Sequence, residues 1–279
     1  MIKMVYAGIL VLSFLSSPVM SASRSGEGAY RLGLVHMQNS RYDQAIASFS
    51  KAIEAGADQP DYRNARGRAY TIQGDYEKAI ADFNKAIGID KHYAEAYDGR
   101  GAAYAAKEDF DAAIGDYTKA IKLNPNSPQA YNNRGCAYYR QDDFMRALGD
   151  FNKALELNPR FSGAFHNRGR VYFQKGDVDQ AISDYTEALE IRPDYAESHK
   201  KRGVALTKKG DIPGALADLN VAIALDPEDG YAYADRAVIY LKKRAYDKSW
   251  DDVHKAESLG CKVDEAFRKE LKSSSLREE

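Results

Sequence analysis

The sequence predicts an all-α fold, a solenoid of stacked helical hairpins, on three observations. A glycine recurs every 34 residues, at Gly33, Gly67, Gly101, Gly135, Gly169 and Gly203. Apolar residues keep one register around it, in two stripes of helical spacing per unit. Proline closes the unit at a fixed place, Pro125, Pro159, Pro193 and Pro227, where a helix has to stop. A chain made almost wholly of one short repeat buries its apolar stripes only by stacking neighbours. Its working part is therefore an extended surface and not an enclosed pocket.

With the glycine at position 8, seven units run 26–59, 60–93, 94–127, 128–161, 162–195, 196–229 and 230–263. In each, the first helix carries the glycine. In the fourth, Tyr131, Arg134, Gly135 and Tyr138 share one helical face. A polar break follows, Gln141 to Asp143 in that unit, and then a second helix with Ala147, Phe151 and Ala154 on its buried stripe. Position 27 is alanine in all seven units, and small residues there let helices approach closely. The last unit decays, with Ala237 for glycine, Ser249 for alanine and Val253 for the aromatic at position 24. Beyond it Val263, Phe267 and Leu271 predict a capping helix within 264–279, fraying from Ser273 onward. The pattern resembles the tetratricopeptide repeat family over about 238 of the 279 residues. The resemblance implies a right-handed superhelix of helix-turn-helix units whose concave face holds a protein ligand.

Residues 1–22 stand apart: Lys3, an apolar run from Met4 to Leu15, then small residues to Ala22. They read as a signal peptide cleaved after Ser21 or Ala22, which would place the mature chain in a bacterial periplasm or outside the cell. The alternative is an uncleaved anchor holding the chain to the inner membrane and facing the periplasm. Loss of Lys3 would move the net charge from -1 to -2. Cys136 and Cys261 lie three repeats apart, too far to bridge, and read as small apolar fillers; a weak homodimer linked through Cys261 is the remaining use for a thiol.

A second recurrence concerns charge. Position 7 is Arg66, Arg100, Arg134, Arg168, Arg202 and Arg236, and position 23 of the same units is Asp82, Asp116, Asp150, Asp184, Asp218 and Asp252. The first unit departs at both positions together, with Leu32 and Ser48. Joint change predicts a guanidinium on each first helix meeting a carboxylate on the second, an internal ladder of ion pairs. The rival reading sets the arginines on the ligand face.

The ligand face follows from the family frame, at positions 2, 5, 6, 9, 12 and 13 of each first helix. This nominates Asn132, Asn133, Tyr139 and Arg140 in the fourth unit, His166, Asn167, Arg170 and Phe173 in the fifth, and Lys200, Lys201 and Lys208 in the sixth. Asn133 and Asn167 can serve a ligand backbone, Tyr139 and Phe173 give apolar contact, and the cations favour acidic residues or a terminal carboxylate. The family's carboxylate clamp for chaperone tails is matched only in its middle element.

Other classes fare worse. The five histidines lack metal-ligand spacing, and no nucleophile or phosphate-loop motif occurs, so neither catalysis nor a cofactor is predicted. Near-neutral charge on an exported chain speaks against nucleic acid. The alternatives to a scaffold that binds an extended peptide or protein are a self-assembling solenoid and an enzyme whose site has no recognised motif.

Overall fold

The computed structural model of the protein describes residues 18–55 and 59–275, with side chains from Gly26 onward. Every element among the described residues is an α-helix, fifteen in all. The chain divides between Leu123 and Asn124 into two compact units. The first holds α1 (Pro18–Gln38), α2 (Tyr42–Glu54), α3 (Pro60–Gln73), α4 (Tyr76–Ile89), α5 (Ala94–Ala106) and α6 (Phe110–Leu123). The second holds α7 (Pro128–Arg140), α8 (Phe144–Leu157), α9 (Ser162–Lys175), α10 (Val178–Ile191), α11 (Ala196–Lys209), α12 (Ile212–Leu225), α13 (Gly230–Lys242), α14 (Tyr246–Ser258) and α15 (Glu265–Ser275). Consecutive helices pair within each 34-residue frame, and α15 follows the last pair.

Of the expected leader, residues 1–22, the first seventeen lie outside the described residues, and Pro18 to Ala22, with the predicted cleavage points, form the first turns of α1. No described helix is long and apolar enough to cross a membrane. The expected fraying differs in part: Ser273 to Ser275 complete α15, and residues 276–279 lie outside the described residues.

Local chemistry makes each hairpin. Pro60 and Pro128 open first helices, where the missing N–H costs nothing. The first helix ends at position 15 in a left-handed residue in every unit. It is glycine at Gly74, Gly176 and Gly210, with φ of 83°, 88° and 92°, but Ser40, Glu108, Asp142 and Arg244 elsewhere, with φ of 56° to 63°. The next residue caps the second helix. Asp109, Asp143 and Asp211 each accept a hydrogen bond from the backbone N–H three residues on, at 3.0 to 3.1 Å.

Packing then joins the hairpins. In the first unit of the chain the fully buried Phe83 lies between two glycines, Gly67 of its own hairpin and Gly99 of the next; a Cβ at Gly99 would stand 2.5 Å from its ring. Ala96 and Ala103, positions 3 and 10 of α5, close over the same ring. Burying one such phenylalanine contributes about 2 to 3 kcal/mol. In the second unit Tyr185 with Ala205, and Leu219 with Ile239, repeat the arrangement. At the last hairpin Leu271 of α15 is fully buried against Ala237 and Val253, with Phe267, Val263 and Trp250 around it.

Both cysteines are unpaired. Cys261 is buried against Gly230, which leaves its thiol little access to a second copy.

Candidate functional site

The six position-7 arginines turn away from any ligand and toward their own second helices. In each of the six units Nε donates to Oδ2 and Nη2 to Oδ1 of the position-23 aspartate, at 2.7 to 2.8 Å. The pairs are Arg66 with Asp82, Arg100 with Asp116, Arg134 with Asp150, Arg168 with Asp184, Arg202 with Asp218 and Arg236 with Asp252. The carboxylates are buried and the guanidinium side chains about one-fifth exposed. At Arg134 the bidentate pairing with Asp150 raises the guanidinium pKa further.

The remaining nitrogen, Nη1, reaches back to position 25 of the preceding hairpin. Arg66 donates to Ser50 Oγ, Arg168 to Asn152 Oδ1, Arg202 to Thr186 Oγ1 and Arg236 to Asn220 Oδ1, at 2.7 to 3.1 Å, and Arg100 reaches Asn84 in the same way. Each of these five arginines thus ties two helices of one hairpin and one helix of its neighbour. The position-25 residues are part of this device, and the sequence carried a signal for them: a hydroxyl or amide recurs there in register.

The residues proposed for the ligand face separate into two groups. Position 5 is not on that face. Asn132, His166 and Lys200 are all buried, because position 5 of α7, α9 and α11 leans onto the next hairpin. Asn132 Oδ1 accepts from Asn167 Nδ2 at 3.0 Å. His166 Nδ1 lies 2.8 Å from Ser198 Oγ, with Tyr185 and Tyr195 flanking its ring. Burial, reinforced by the charge of Arg170, holds its pKa down at about 3, so the ring is neutral. His199, on α11 beside Ser198, contacts Asp218 and the Pro193 carbonyl.

Lys200 donates to Asp229 at 2.6 Å and pairs with Glu197 at 2.7 Å. Burial works to lower its pKa, and these two carboxylates more than offset that and raise it. With its charge neutralised internally, Lys200 has none to offer a ligand. Close by on α13, Asp235 has its carboxyl pushed up to about 6 by burial, against the opposing pull of Lys201 and Lys200.

What stays accessible comes from positions 6, 9, 12 and 13 of α7, α9 and α11. Tyr139 and Phe173 are half-buried and not the exposed aromatics expected. Each is covered by a cation from the next first helix: the Arg170 guanidinium stands 4.5 Å from the Tyr139 ring centre, and Lys208 Nζ 5.1 Å from that of Phe173. Neither Arg170 nor Lys208 pairs with a carboxylate among the described residues. Asn133 Oδ1 accepts from Gln129, Asn167 keeps its Oδ1 available, Lys201 leans toward Glu197 at 3.5 Å, and Arg140 is exposed. Among the described residues no group of three histidine, cysteine or acidic side chains is placed to hold a metal ion.

Comparison with known proteins fits this geometry. Sequence profiles of the tetratricopeptide repeat match residues 30–94, 101–142, 128–161, 151–183 and 169–210. No curated protein matches the sequence. Among solved structures, a tetratricopeptide repeat protein from Parabacteroides merdae superposes with a TM-score of 0.65 at 20% identity, over 90% of this chain and 99% of its own. The anaphase-promoting-complex assembly Cut9-Hcn1 superposes at 0.73 and 18% identity, over 92% of this chain but only 54% of that one. YrrB, described as a repeat protein with an unusual peptide-binding site, superposes at 0.53 and 22% identity, over 69% and 97%. Identities this low establish a shared fold.

Proposed function

The chain belongs to the tetratricopeptide repeat family, and from that premise we propose that it is a non-catalytic scaffold that holds an acidic protein segment across α7, α9 and α11. One observation carries the reading. Two cations, Arg170 and Lys208, are held over aromatic rings with no carboxylate of their own. The six ladder arginines each have an internal counter-ion, whereas Arg170 and Lys208, also on first helices, rest on rings of the preceding repeat with no carboxylate partner among the described residues. A cation stacked on a ring is partly desolvated and positioned, which strengthens its attraction for an incoming carboxylate. Asn167 Oδ1 and Asn133 add hydrogen-bonding groups that suit a ligand backbone. That YrrB is described by a peptide-binding site on the same fold supports the class of ligand.

The setting is proposed from the sequence: Lys3 and the apolar run Met4 to Leu15 favour the cell envelope. The test is an in-cell crosslink and pull-down from the envelope fraction. The wild type is compared with a variant carrying Tyr139→Ala, Arg170→Ala and Phe173→Ala. Partners lost only from the variant, at equal thermal stability, support the site. Partners kept by both remove it.

A further inference from the structure

At the first hairpin the surface that normally joins neighbours has no neighbour among the described residues. Position 3 is buried in the six later repeats, as Tyr62, Ala96, Ala130, Ala164, Ser198 and Ala232. Position 10 is likewise buried there, as in Ala69, Val171 and Ile239. These two positions, with position 7 between them, form the joining face of each first helix. On α1 they are Gly28, Leu32 and Val35. Leu32 is 51% exposed and Val35 49% exposed, and a Cβ built on Gly28 meets nothing within 4 Å. Position 7 elsewhere is the ladder arginine, which at Arg66, Arg100, Arg168, Arg202 and Arg236 reaches back to the preceding hairpin; here it is leucine. The ladder thus stops where it has nothing to tie, and an apolar side chain takes its place at a point open to water.

We propose that this face of α1 pairs with the same face of a second copy of the chain, about a two-fold axis. Three features favour a second copy as the occupant. First, the face is its own complement in shape: Leu32 projects one helical turn from the bare backbone of Gly28, so two antiparallel helices can each set a leucine into the other's notch. Second, it is its own complement in charge. Glu27 and Arg31 border it, joined at 2.8 Å and well exposed, and a two-fold brings the acid of one copy toward the base of the other. Third, head-to-tail addition is closed off, because α15 covers the corresponding surface of the last hairpin with the buried Leu271. This inference does not depend on the ligand site on α7, α9 and α11.

The experiment is sedimentation equilibrium on the protein in the processed form that cells deliver, wild type against Leu32→Arg and against Val35→Arg. A wild-type dimer whose dissociation constant rises at least ~100-fold in each variant supports the proposal, provided the melting temperature is unchanged. Both side chains are half-exposed, so folding survives the change. A second measurement reads the two-fold directly. An equimolar mixture of Gly28→Cys and Leu32→Cys chains should oxidise to a disulfide-linked dimer, because the two positions face each other across the two-fold, whereas Gly28→Cys mixed with Ile72→Cys, exposed to a similar degree on α3, should not. A wild type that is monomeric at every concentration overturns the proposal. So does a dimer that persists in Leu32→Arg.

Discussion

A Cβ placed on Gly135 would stand 2.7 Å from Cε1 of Phe151, across the two helices of one hairpin. The glycine that marks the 34-residue period is therefore a steric consequence of the ring opposite it. The seventh unit shows the same rule in reverse, since alanine at Ala237 coincides with the smaller Val253, both fully buried.

Gly135→Ala should destabilise the protein by about 1 to 3 kcal/mol through overpacking, although alanine is the better helix former by about 1 kcal/mol. Combining it with Phe151→Val should cost less than the sum of the two single changes. Urea unfolding of the four proteins measures the coupling; strict additivity would show that ring and backbone do not compete for the same space.

Loss of a ladder arginine should act on stability. Arg168→Ala leaves Asp184 buried without its counter-ion and releases Asn152, at a cost of about 1 to 3 kcal/mol for a pair that is one-fifth exposed. Replacing both partners, Arg168→Met with Asp184→Leu, should cost less than Arg168→Ala alone. The comparison is a pair of thermal melts. Unchanged melting with loss of a bound partner would instead put Arg168 on the ligand face.

Glu108 holds a left-handed conformation at φ 63°, where Gly74 and Gly176 do the same job without a Cβ. Glu108→Gly should raise stability by about 1 kcal/mol. The control, Gly74→Glu, should lower it by a similar amount; equal melting temperatures for all three proteins would refute the argument.

A half-buried carboxylate and a buried histidine give opposite pH dependences. Asp235 titrates at about 6 in the folded chain against an ordinary 3.8, so the folded state binds more protons between those values and stability falls as pH rises through that window. Asp235→Asn should therefore melt above wild type at pH 7 and level with it near pH 4. His166 titrates at about 3 against 6.5, so the unfolded state binds more protons there and stability falls as pH drops from 6.5 toward 3. Relative to wild type, His166→Gln should then gain on acidification. Parallel melting curves across pH for either variant would count against the assigned burial.

Much of this was readable before any coordinates. The period, the paired helices and the capping segment follow from residues repeating in register, and joint change at Arg66 with Asp82 through Arg236 with Asp252 pointed to contact. The candidate site was less legible. Asn132, His166 and Lys200 sit at position 5, which the family frame places toward ligand, yet they are enclosed by the next hairpin. Tyr139 and Phe173 looked exposed because the cations covering them come from a different repeat.

The sequence by itself determined which residues share a helical face, since 3.6 residues per turn is a property of the chain alone. It determined the partners of the ladder too, because a buried carboxylate has to be matched and the match recurs. Only the tertiary structure decided how each first helix leans on the next, and hence that position 5 is enclosed, that Arg170 and Lys208 come to rest on rings, and that Leu32 is left open. The reason is that helical periodicity gives the direction of a side chain around its own axis, whereas exposure depends on the tilt and offset of a neighbouring helix, set by all the side chains packed between them.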